Sequence, residues 1–103
     1  MRRTRSVVLS ETISAIDELR EWLDGTRGSP PEYVLKAELL ACLKTMFEIE
    51  LNLRAENLPE KTFRKSGMGR MIVDGWPSDF PLATRLLEIE QTYARLDEST
   101  ADA

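Results

Sequence analysis

A chain of 103 residues with 42% hydrophobic and 31% charged side chains is sized and composed as one soluble domain, and its formal net charge of −4 opposes dedicated polyanion binding. It contains no histidine and one cysteine, which excludes Ser–His and Cys–His nucleophile pairs, histidine-ligated metals and an internal disulfide framework. The lone thiol suits a reducing cytoplasm, and no apolar run approaches the roughly 20 residues of a membrane span.

Arg2, Arg3 and Arg5 make residues 1–6 a flexible basic arm. The Val7–Leu9 run behind it is too short for a signal peptide. The first helix is predicted over 10–24, with a cap near Ser10 and a stop at Gly25. Leu9, Ile13, Ile16, Leu19, Trp22 and Leu23 share its apolar side, and Asp17, Glu18 and Glu21 its wet side.

The longest periodic stretch follows, over 30–56. Ser29-Pro30-Pro31-Glu32 reads as a capping box with proline in the first turn. Leu35, Leu39, Cys42, Met46, Ile49 and Leu53 form one apolar row, and Tyr33, Ala37, Leu40, Leu43, Phe47 and Leu51 a second beside it. A helix apolar around most of its circumference is expected at the centre of a bundle. At 1.5 Å per residue it would be ~40 Å long, against ~22–25 Å for its neighbours. That mismatch predicts a homodimer that buries the uncovered length.

Leu58-Pro59 ends this helix, because the residue before a proline disfavours α geometry. A short helix is predicted from Pro59 to about Lys65 with Phe63 inward, then a second short helical turn within 68–75. The alternative for 68–75 is a strand paired with Ser6–Leu9, since Met71-Ile72-Val73 is β-prone. A last helix is expected over 80–97, capped by Ser78 or Asp79, with Leu82, Leu86, Ile89, Tyr93 and Leu96 inward. The fold class is therefore all-α: a single helical-bundle domain over 7–97, with an acidic, disordered tail over 98–103.

No catalytic set can be assembled, and neither a cofactor nor a metal is implied. Cys42 sits in the main apolar row and reads as an inert core thiol. Glu50 and Glu90 fall on secondary rows and read as structural ion pairs: Glu50 with Arg54, Glu90 with a cation from 61–70. The expected function is protein–protein binding by a small regulatory, adaptor or inhibitor-type module. Arg64, Lys65, Arg70, Met71 and Trp76 are the candidate contact residues, because they combine cations with a loop tryptophan. The competing reading is a nucleic-acid-associated regulator using the 61–70 cations and the N-terminal arginines.

Overall fold

The computed structural model describes residues 4–97. Thr4 caps the first helix, α1 (Arg5–Asp24), and its Oγ1 accepts the Val7 N–H at 3.3 Å. The helix thus begins well before Ser10, and Arg5 and Ser6 belong to it rather than to a loose arm. Val7 and Val8 are poor helix formers by propensity. Burial of Val8 against the core overrides that preference, as packing commonly does. Gly25 ends α1 at φ 85°, a left-handed geometry that glycine adopts without a Cβ penalty.

The second helix, α2, spans Lys36–Arg54 and starts six residues later than Pro30. The reason lies in the double proline. Pro31 disfavours α geometry at Pro30, the position that would have to be the first helical residue. The chain instead makes a turn closed by Val34 N–H to Pro31 C=O at 3.1 Å, and Tyr33 takes φ 70°. Leu35 is the N-cap, and Glu38 Oε1 accepts the Leu35 N–H at 3.0 Å.

After α2 comes a 3-10 turn (Lys61–Phe63), then α3 (Met68–Gly75) and α4 (Pro81–Arg95). Among the described residues there is no strand, so 68–75 is helical rather than paired with Ser6–Leu9. The helix expected over 59–65 shrinks to that single turn. Phe63 points outward, 76% exposed. The N-cap of α4 is Phe80, with Pro81 in the first turn and no side-chain cap from Ser78 or Asp79. Residues 1–3 of the arm and the 98–103 tail lie outside the described residues.

α1 runs antiparallel to both α2 and α4. At one end Arg5 Nη1 donates to the Ala55 carbonyl at 3.0 Å, and further along α1 Arg20 lies over the Phe47 ring. On the other flank Arg85 of α4 binds Glu18 and donates to Ser14 Oγ at 2.9 Å. α1 is therefore flanked by α2 on one side and by α4 on the other. It and α2 are nearly equal in length at 20 and 19 residues, or about 30 and 28 Å. The length mismatch that predicted a homodimer is absent.

One core joins the elements: Leu19, Leu39, Met46, Ile72, Leu82, Leu86 and Ile89 are almost wholly excluded from water. Trp76, Phe80 and Trp22 close one end, with ring centroids 5.5 Å apart for Trp22–Phe80 and 5.7 Å for Trp76–Phe80. Glu38 Oε1 also accepts Trp76 Nε1–H at 3.1 Å, so one carboxylate ties the start of α2 to the end of α3. Among the described residues no helix is long and apolar enough to cross a membrane.

Candidate functional site

The five contact candidates do not form one surface. Arg64 is 6% exposed. Its Nε donates to the Pro59 carbonyl at 2.8 Å, and Nη1 donates to the Tyr93 carbonyl at 3.1 Å and to the Leu96 carbonyl. It thus satisfies carbonyls left over at the C-terminus of α4, where a cation also complements the helix dipole. Trp76 is 6% exposed and closes the bundle end. Neither residue can be offered to a partner as the sequence suggested. Met71 is half-buried against the core. Lys65 and Arg70 are exposed, and Arg70 lies 3.8 Å from Asp74 one turn along α3. Lys61 pairs with Asp97.

The two carboxylates take different roles. Glu50 pairs with Arg54 at 3.1 Å along α2. Glu90 binds no cation of the 61–70 segment. Its Oε2 accepts Ser66 Oγ–H at 2.5 Å and Gly69 N–H at 3.1 Å. α3 has no side-chain cap of its own, so Glu90 supplies that cap from α4. A Cβ on Gly69 would stand 2.2 Å from Glu90 Oε1, which is why a glycine occupies this helical position. Among the described residues no three His, Cys, Asp or Glu side chains come together to hold a metal ion.

Two features bear on reactive chemistry, the burial of the lone thiol and the size of one cleft. Burial, reinforced by the negative charge of Glu38 and Glu90, pushes the Cys42 thiol up to about 12, so it remains protonated and inert. A cleft of about 50 Å³ lies between α2 and residues 63–66, with Glu48, Asn52, Lys65 and Tyr93 in its wall. Substrate pockets commonly run to ~300–1,000 Å³. Asn52 Nδ2 donates to the Tyr93 hydroxyl at 2.8 Å, and burial raises that hydroxyl above its ordinary range, so it is no base at neutral pH.

The surface that stands out is the outer face of α2. Leu40 is 51%, Phe47 38% and Leu51 72% exposed, with half-buried Leu43 beside them. These belong to the second apolar row, which sequence periodicity placed inside the bundle. α1 covers the first row and stops short of the second. Cations are threaded through this face: Lys36, Lys44 and Arg54 lie on it, and Arg20 of α1 stacks 5.2 Å from the Phe47 ring centroid. The signal was present in the sequence, because Lys36, Leu40, Lys44, Phe47, Leu51 and Arg54 recur at helical steps of four and three. A row broken by cations is poorly suited to burial.

Compared with protein-family models, curated proteins and solved structures, the chain matches none.

Proposed function

We propose that this protein is a non-catalytic module that acts by binding another protein, in a regulatory, adaptor or inhibitor-type role, and that the outer face of α2 is its contact surface. The observation that carries this reading is the exposed row Leu40, Phe47 and Leu51 on a helix whose opposite row is fully buried. Exposed apolar side chains scattered singly are ordinary, but several aligned along one face of a rigid helix are the geometry of a binding face. The absence of a histidine and the protonated Cys42 support a role without catalysis. The same reading puts the chain in the cytoplasm, where a free thiol keeps its reduced form.

The nucleic-acid reading has less behind it. Its cations are dispersed: Arg64 is buried, Lys61 and Arg70 face Asp97 and Asp74, and Arg5 donates to the Ala55 carbonyl. Affinity for a polyanion rests on several cations reaching phosphates together.

The test compares immobilised wild type with Leu40→Glu/Leu51→Glu. Both sites are exposed, so the variant should keep its helical circular dichroism and its melting temperature. A protein partner retained by wild type at raised salt, and lost from the variant, is the expected result. Equal capture by both, or salt-sensitive retention of nucleic acid alone, rejects the reading.

A further inference from the structure

The geometry points to an acidic amphipathic helix of a different protein as the occupant of the α2 face, an inference that rests on the protein-binding reading above. Charge decides among the possible occupants. Lys36, Lys44, Arg54 and Arg20 border or interrupt the row Leu40, Phe47 and Leu51. Against them stand Glu50, which is tied to Arg54, and Asp17 and Asp24, each one turn from Arg20 on α1, with Asp24 Oδ1 engaged by Thr26. Glu48 lies further round α2 and lines the cleft beside Lys65. The face is thus locally cationic in a chain whose net charge is −4. Lys36 and Lys44 are exposed and have no ion pair among the described residues. An approaching helix with carboxylates beside its apolar ridge would place them near Lys36, Lys44 and Arg20, while its ridge covered Leu40, Phe47 and Leu51. Apolar anchors at helical spacing with complementary charge on the rim describe the helix-in-groove mode of recognition.

A second copy fits less well. Antiparallel two-fold pairing that sets Leu40 against Leu51 also brings Lys36 beside Arg54 and the two copies of Lys44 close together. Parallel two-fold pairing sets each lysine against its own counterpart. Either way like charges meet where water is excluded, which is a device that nature uses to reject partners. An anionic membrane is disfavoured by Asp17 at the edge of the face and by the negative net charge.

Two synthetic helical peptides test this. They share the same Leu and Phe positions and differ in their flanks, all Glu in one and all Lys in the other. Each is fluorescently labelled and titrated with the full chain. The Glu peptide should bind about tenfold or more tightly than its Lys twin, and raised salt should narrow the gap. Leu40→Glu/Leu51→Glu should abolish binding. Lys36→Glu/Lys44→Glu, at exposed sites that leave the fold intact, should reverse the preference toward the Lys peptide. Equal affinity for the two peptides, or binding of neither, overturns the inference. So does stronger face-dependent binding to mixed phosphatidylcholine–phosphatidylglycerol vesicles than to the Glu peptide. A light-scattering mass of twice 11.8 kDa that Leu40→Glu/Leu51→Glu halves gives the face to a second copy. That result overturns this inference and leaves the protein-binding reading standing, whereas a cellular partner captured equally by wild type and Leu40→Glu/Leu51→Glu removes the reading itself.

Discussion

α2 carries two apolar rows of similar composition with opposite fates. Leu39, Cys42, Met46, Ile49 and Leu53 are buried, whereas Leu40, Phe47 and Leu51, a step or two around the same helix, face water. Local sequence treats the rows alike, since both follow the three–four alternation and both are rich in Leu and aromatic or sulfur side chains. What separates them is the neighbour: α1, α3 and α4 pack on one side, and on the other, among the described residues, only Arg20 of α1 reaches over the Phe47 ring. Periodicity therefore reports that a row can be buried, while the tertiary partner decides whether it is.

The sharpest way to break that comparison is truncation on each row. Met46→Ala removes a side chain with no exposed surface and should cost about 2–5 kcal/mol in chemical denaturation. Leu51→Ala, at a largely exposed site, should stay within about 0.5 kcal/mol. A cost at Leu51 comparable to that at Met46 would mean that the outer row is covered in solution, by another copy or by a rearranged chain.

A second pair repeats the lesson in two adjacent cations. Arg64 and Lys65 are indistinguishable by sequence, yet Arg64 is buried among three carbonyls and Lys65 is exposed. Arg64→Ala leaves the carbonyls of Pro59 and Leu96 without their side-chain donor, and leaves the Tyr93 carbonyl with the Leu96 N–H alone. It should cost about 1.5–3 kcal/mol, the scale of hydrogen bonds to a charged group. Lys65→Ala should move the urea midpoint hardly at all. If the two variants unfold together, the capping role assigned to Arg64 is wrong.

How far the sequence could be read follows from these cases. Class and periodicity were legible: the inward residues of α4 are those named from its spacing, and Gly25 stops α1 at the expected place. The start of α2 was misread because Ser29, Pro30 and Glu32 were weighed as a cap without asking what Pro31 does to Pro30. The start of α1 was hidden because Val7 and Val8 carry β preference, and only the core they meet makes them helical. The candidate contact residues were drawn from one segment, 64–76, because it looked unusual. Trp76 and Arg64 look unusual there because they close the bundle. The exposed face lay instead on the most regular helix, where cations among the leucines were the available clue.

The inner row also bears on pH. An unfolded cysteine ionises near 9.0, whereas burial, aided by Glu38 and Glu90, pushes Cys42 in the folded chain up to about 12. Because the folded state holds this proton more tightly, the contribution is fully present below pH ~9 and is lost as pH rises from there toward ~12. Tyr93, raised chiefly by burial, acts in the same direction. The urea midpoint should be flat from about pH 7 to 8.5 and fall above about 9, less steeply in Cys42→Ala. A midpoint that rises above pH 9 would contradict the burial of both groups.

The smallest effect tests the link between α3 and α4, and it requires a double-mutant cycle. Glu90→Ala removes the acceptor of Ser66 Oγ–H and Gly69 N–H, and the loss of such a cap costs about 1 kcal/mol. Gly69→Ala alone brings two opposing terms. Alanine in a helix is favoured over glycine by about 0.8–1 kcal/mol. Its Cβ, however, would stand 2.2 Å from Glu90 Oε1 and displace the carboxylate from its donors. The terms nearly cancel, so Gly69→Ala in wild type should change stability by less than about 0.5 kcal/mol. In the Glu90→Ala background the clash is gone, and the remaining neighbour, Leu87 Cδ2 at 3.4 Å, is in ordinary contact. There the same substitution should stabilise by about 0.5–1 kcal/mol. The expected signature is thus a stabilisation by alanine that appears only once the carboxylate has been removed. Equal effects of Gly69→Ala in the two backgrounds would show that Glu90 does not reach the start of α3, and α3 would then have to be held by the burial of Met68 and Ile72 and by Ser66 Oγ, which accepts the Met68 N–H.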